Sequence, residues 1–134
     1  MMRLPALAAV LAVLLAPAAW ANEPSAIEPQ SLAERVSSGD TALLVLDVRT
    51  AAEFDEGHIP GAVNIPYDSL AARIAELGPA GGHDVVVYCR SGRRSAIALS
   101  TLKDAGFSRL FHLEGDWLRW SEENRSIVRT PVQP

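Results

Sequence analysis

The chain has 134 residues, with 12 Lys and Arg against 16 Asp and Glu, a formal charge of −4 and a single cysteine. Mild acidity argues against nucleic acid or an anionic membrane as the partner, and one cysteine excludes an internal disulfide. The length is that of one domain, large enough to bury a core without a metal or a disulfide.

The chain opens on Met1-Met2-Arg3, an Ala/Leu/Val run from Leu4 to Ala16 and the small-x-small triplet Ala19-Trp20-Ala21. Together these have the layout of a secretory signal peptide over residues 1–21. The apolar run is short for a membrane span, which needs ~20 residues. The expectation is an exported, periplasmic protein, free of the membrane once the signal is cut. Structural cysteines in that compartment are normally paired, so the lone Cys89 points to chemistry.

Residues 22–30 show no periodicity and read as a leader to a domain over 31–125. Ser31 and Glu34 have the spacing of a capping box, opening a helix over Leu32–Ser38 that stops at Gly39. The continuous apolar run Ala42–Val48 fits a strand covered on both faces, with Asp47 and Arg49 at its C-terminal end. Thr50 and Glu53 form a second capping box, for a short helix ending near Gly57. A turn, Gly57–Ala62, leads to a strand over Ala62–Ile65 that Pro66 ends. Asp68 is placed to cap a helix over Ser69–Leu77 with Leu70, Ile74 and Leu77 on one face. A strand follows at Asp84–Tyr88, then a helix over Ser95–Ala105 with Ile97, Ala98, Leu99 and Leu102 as its apolar face. Ser108–Leu113 is a last strand, a short helical segment carries Trp117, Leu118 and Trp120, and residues 126–134 form a tail. Strands alternating with helices predict an α/β fold with one doubly wound parallel sheet.

The chemistry concentrates at Tyr88-Cys89-Arg90-Ser91-Gly92-Arg93-Arg94-Ser95, a strand end, a tight loop and a helix start. Arginines and a helix N-terminus both favour thiolate over thiol, so Cys89 is the candidate nucleophile. Successive N–H groups turning at Gly92 form a nest for negative charge, and Arg90, Arg93 and Arg94 add charge-assisted donors for an anionic substrate. A cysteine phosphatase places its arginine six positions after the cysteine; here that position is Ser95, and Arg94 falls one residue earlier. The count favours sulfur transfer over phosphate-ester or arsenate chemistry.

The segments Leu46-Asp47-Val48-Arg49, Glu53-Phe54, Gly57-His58-Ile59-Pro60-Gly61-Ala62, Asn64-Ile65-Pro66, Tyr88 to Ser95 and Leu113-Glu114-Gly115 before Trp117 resemble the single-domain rhodaneses, or thiosulfate sulfurtransferases. In particular they are similar to the small exported kind typified by phage shock protein E. The resemblance implies a mostly parallel five-stranded sheet with helices on both faces and a persulfide on Cys89. It implies that Arg90, Ser91, Gly92, Arg93, Arg94 and Ser95 bind a small anionic donor such as thiosulfate. Asp47 and Arg49 would brace the loop, and cyanide, a thiol or a protein sulfur acceptor would take the sulfur. No cofactor and no metal are called for, and a monomer or weak dimer is expected. A non-catalytic sulfur-carrying module on the same fold is the alternative. One departure stands out: the family often has two glycines where this chain has Gly115-Asp116. Asp116 is expected to cap the following helix, or else to set a carboxylate at the pocket rim. His58, His83 and His112 are not spaced as metal ligands and read as structural. Trp117 and Trp120 read as core, with a possible second use as a wall near the site. Arg73, Arg119, Arg125 and Arg129 read as solvated surface.

Overall fold

The computed structural model describes residues 1–6, 8–10, 12–13 and 23–131. The cleavage site expected at Ala19–Ala21 and the end of the tail, 132–134, lie outside the described residues. Strands β1 (Ser25–Ile27), β2 (Leu43–Asp47), β3 (Val63–Asn64), β4 (Asp84–Tyr88) and β5 (Leu110–Leu113) form one five-stranded sheet in the order β1-β5-β4-β2-β3. Every strand pair is parallel. Helices α1 (Pro29–Ser37), α2 (Ala51–Glu56), α3 (Arg93–Asp104) and α4 (Asp116–Glu122) and a 3-10 helix at Ala71–Leu77 make the connections.

The sheet has two buried faces, and side chains alternate between them along each strand, as the pleat requires. Val85, Val87 and Cys89 pack with Ala98, Leu99 and Leu102 of α3 and with Leu70 and Leu77. Val86 and Tyr88 turn the other way and pack with Leu32 of α1 and Trp120 of α4. Burial on both faces explains why β2 and β4 read as unbroken apolar runs. In this topology β2 is followed by its outer neighbour β3, whereas β4 is followed by β5 on the opposite side. The loops after β2 and β4 therefore diverge, and the crevice between them is the switch point where open parallel sheets place ligands.

Several local expectations change. The segment 22–30, read as a leader, contributes β1, whose residues pair Ser25 with Phe111 and Ile27 with Leu113. Helix α1 starts at Pro29 with Glu28 as N-cap and no side-chain cap. Proline is pre-organised for the first helical turn, so Ser31 lies inside the helix and the first capping box does not form. The second does: the Thr50 hydroxyl accepts the Glu53 N–H and the Glu53 carboxylate accepts the Thr50 N–H. The helix expected at Ser69–Leu77 is a 3-10 helix without an Asp68 cap. It still buries Leu70 and Leu77 with Ile74 against them. Ile97 is exposed, so the buried stripe of α3 is Ser95, Ala98, Leu99 and Leu102.

The expected tail also gains a structural part. His58 and Val128 exchange backbone hydrogen bonds, each N–H donating to the other's carbonyl at 2.9 Å. The Thr130 N–H donates to the Asp55 carbonyl, and the Trp120 indole donates to the Ser126 carbonyl. Residues 126–130 thus form a strap across α2 and α4. Among the described residues no helix is long and apolar enough to cross a membrane.

Candidate active site

Cys89 is the first residue beyond β4 and is 1% exposed. Its Sγ accepts the Gly92 N–H at 3.0 Å. Gly92 has φ of +119°, and a side chain there would meet the Asp116 carboxylate at 3.2 Å, so the tight turn requires glycine. Helix α3 begins one residue later, two residues earlier than expected. Arg93, Arg94 and Ser95 therefore occupy its first turn, where backbone N–H groups lack helical partners. The start of α3 thus sets the positive end of a helix dipole beside the loop whose Gly92 N–H meets the sulfur.

At the end of the neighbouring strand β2 lies the Asp47–Arg49 pair, 0% and 3% exposed. The Arg49 guanidinium donates to both Asp47 oxygens, at 2.6 Å in the closest bond, and to the Gly57 carbonyl at 2.7 Å. It lies 4.5 Å above the Trp117 ring centre and 5.4 Å from that of Tyr88. Burial works against the Arg49 charge, but Asp47 more than offsets this and Arg49 stays ionised. Asn64 ties the same corner together by donating to the Asp47 and Arg49 carbonyls. The Tyr88 hydroxyl accepts the Ile59 N–H, and burial followed by the nearby Asp47 charge keeps its phenol neutral.

The expected substrate-binding side chains are divided. Arg90 and Arg93 are exposed, and among the described residues neither donates to a carboxylate. Arg94 instead makes a two-pronged bond to Glu53 of α2, at 2.7 and 3.0 Å, and this guanidinium holds the Glu53 carboxyl down at about 2. Ser95 is fully buried, and its hydroxyl donates to Asp116 at 2.8 Å.

Asp116 neither caps α4 nor stands at an open rim. Gly115 is the N-cap, and Asp116 is 2% exposed with a left-handed φ of +52°. A non-glycine residue there costs on the order of 1 kcal/mol. The cost is offset by three partners. Asp116 Oδ1 accepts the Cys89 N–H at 3.0 Å and the Ser95 hydroxyl, while His112 Nε2 lies 2.9 Å from Oδ2. Burial alone would raise the Asp116 pKa, but His112, the Cys89 N–H and Ser95 outweigh it and hold the carboxyl below its ordinary range. In return Asp116 raises the His112 imidazole above its ordinary value, against the effect of partial burial. The role of His112 was missed in the sequence; its spacing of four from Asp116 is the signal that could have revealed it. His58 is structural, stacked on Phe54 at 3.6 Å. Trp120 is core, whereas Trp117 walls a cavity beside the loop. Among the described residues no three His, Cys, Asp or Glu side chains converge as a metal site.

A parallel α/β sheet with a cysteine loop at its switch point defines a class of cysteine-loop α/β domains. Within that class the chain belongs to the rhodanese-like domain family, whose pattern residues 28–123 match. It is 37% identical over 102 residues to a sulfurtransferase of Allochromatium vinosum, covering 76% of this chain and 92% of that one. It is 33% identical to a provisionally assigned mitochondrial thiosulfate sulfurtransferase of Schizosaccharomyces pombe, over 66% and 70% of the two chains. The fold superimposes on the crystal structure of a rhodanese-related protein from Thermoplasma volcanium with a TM-score of 0.66 and 30% identity, covering 78% and 97% of the chains. In other relatives the matching stretch is between 27% and 58% of a longer protein.

Proposed function

We propose that this protein is a sulfurtransferase that moves a sulfane sulfur from thiosulfate, or a similar donor, to cyanide or a thiol through a persulfide on Cys89. The observation that carries the reading is Cys89 Sγ held by the Gly92 N–H at 3.0 Å, facing the first turn of α3. In the loading step the Cys89 thiolate attacks the outer sulfur of thiosulfate. The new Sγ–S bond forms as the S–S bond to the sulfonate breaks, and sulfite leaves with that bonding pair. The persulfide anion that remains is what the converging N–H groups of the loop suit. Arg90 and Arg93 would meet the donor's sulfonate, with Arg94 shaping the loop through Glu53. Asp47 and Arg49 would hold the platform beneath it. A thiophilic acceptor then takes the outer sulfur and Cys89 leaves as thiolate.

The same reading places the protein outside the cytoplasm, of the phage shock protein E-like kind, working as a monomer or weak dimer after removal of residues 1–21. Support comes from the n-region, the apolar run and the Ala19-Trp20-Ala21 triplet.

The test is the intact mass of the purified protein after thiosulfate treatment. An adduct of one sulfur atom is expected on the wild type and none on Cys89→Ser. An unmodified wild type with thiosulfate and with other sulfane donors overturns the reading.

A further inference from the structure

The strap at 126–130 closes a concave groove of about 380 Å³ next to the Cys89 loop, within the size range of small-ligand sites. The loop contributes Arg90, α2 contributes Glu53 and Glu56, α4 contributes Trp117, and the strap contributes Ile127 and Arg129. We infer that this groove is the subsite for the sulfur acceptor, and that it takes a small thiol carrying one or more carboxylates. The inference rests on the sulfur-transfer reading and names the acceptor class for that same site.

Three observations converge on it. The first is position. The Trp117 N–H donates to the Cys89 carbonyl at 2.9 Å and the Leu118 N–H to the Arg90 carbonyl at 3.2 Å, so the groove wall is bonded to the loop that holds the sulfur. Cys89 itself does not line the groove, but the adjacent Arg90 does, so the groove borders the loop that carries the sulfur.

The second is charge. Arg49, Arg94, Arg119 and Arg125 each pair with a carboxylate. Arg90 and Arg129 have no carboxylate partner among the described residues, and both face this groove. Glu53 is already neutralised by Arg94, and Glu56 is the one acidic side chain of the groove without an ion-pair partner. The groove thus carries an unmatched positive charge in a protein of net charge −4. Two guanidinium groups lining one groove suit a carboxylate-bearing ligand.

The third is shape. A side chain at Gly57 would meet Trp117 at 3.1 Å and Ile127 at 3.7 Å, so its absence lets the indole and the strap pack into a common apolar wall. The reciprocal His58–Val128 bonds fix the backbone next to Arg129. In the inferred pose a thiol lies on this wall with its carboxylate on Arg90 and Arg129 and its sulfur turned to the loop. Transfer is balanced without an outside oxidant: the acceptor thiolate attacks the outer persulfide sulfur, the bond to Sγ breaks, and Cys89 leaves as thiolate.

The experiment uses full-length protein loaded with thiosulfate, with the persulfide verified by mass before any thiol is added. Discharge rates to mercaptosuccinate and to 2-mercaptoethanol are compared at low ionic strength, each corrected for its thiolate fraction. The wild type is expected to prefer the dicarboxylate by about tenfold, the scale of one or two charge-assisted contacts. Arg129→Gln is expected to reduce that preference by about threefold or more, Glu56→Gln to increase it, and added salt to erode it. A wild-type ratio near one, or a ratio that neither variant moves, overturns the inference while the persulfide mass still supports sulfur transfer. Failure to load at all overturns both, and is seen before any acceptor is added.

Discussion

Two buried carboxylates flank the sheet edge that carries Cys89, and they are built differently. Asp47 sits on β2 and is neutralised by Arg49, two residues away in sequence, whose charge does not change in any accessible pH range. Asp116 sits at the start of α4 and meets the Cys89 N–H, the Ser95 hydroxyl and His112, brought in from β4, α3 and β5. Its counter-ion is the His112 imidazole, whose pKa Asp116 raises above the ordinary value. The Asp47–Arg49 pair is a permanent brace of the corner after β2, whereas the His112 partner of Asp116 changes charge with pH next to a carboxylate bonded to the Cys89 backbone.

The largest break in this comparison comes from the permanent brace. Arg49→Leu leaves Asp47 as a buried, unpaired carboxylate and removes the donor to the Gly57 carbonyl and the cation on Trp117. A loss of about 3–5 kcal/mol is expected, read by urea denaturation. A loss below about 1 kcal/mol shows that the pair is not a principal support.

A smaller effect is expected at Asp116, where backbone and side chain pull in opposite directions. Asp116→Gly relieves the left-handed backbone but abandons the Cys89 and Ser95 donors, at about 1–3 kcal/mol. Asp116→Ala loses the same partners and keeps the unfavourable φ of +52°, so it is expected to be less stable than the glycine variant by on the order of 1 kcal/mol. Equal stabilities for the two variants contradict a backbone cost at this φ.

The smallest effect is the pH dependence that separates the two supports. His112 has its folded pKa raised, so its stabilising contribution is fully present below the ordinary value of about 6.5 and is lost as pH rises through the folded value. Asp116 has its folded pKa lowered, so its contribution is present above about 3.9 and is lost as pH falls through the folded value. The stability gap between wild type and His112→Gln is therefore expected to be widest in mildly acidic solution and to narrow as the pH becomes alkaline. Its size is under about 1 kcal/mol, because His112 is only half-buried. The deficit of Arg49→Leu is expected to stay flat over the same neutral range, and a matching slope there erases the distinction between the supports.

How much of this was visible beforehand follows the range of the interactions. Runs of apolar residues marked β2 and β4, and the Thr50–Glu53 capping box marked α2, because each is settled within a few residues. The Cys89 loop was legible for the same reason: strand, cysteine, glycine and helix start are consecutive. Strand β1 was not legible, since three edge residues carry no pattern of their own and acquire a conformation only by pairing with β5. The strap was read as tail because its bonds run to His58 and Asp55, about seventy residues earlier.

The sequence by itself determined a single α/β domain, the cysteine, the helix N-terminus behind it and the register of the arginines, all properties of contiguous chain. Only the tertiary structure decided what the flanking side chains do. Arg94 was sent to Glu53, and Ser95 and His112 were gathered on Asp116, while Arg90 and Arg129 were left lining one groove. These assignments depend on which elements meet at the switch point of the sheet. The physical reason is that buried charge must find a partner wherever the fold supplies one, and no local spacing states where that is.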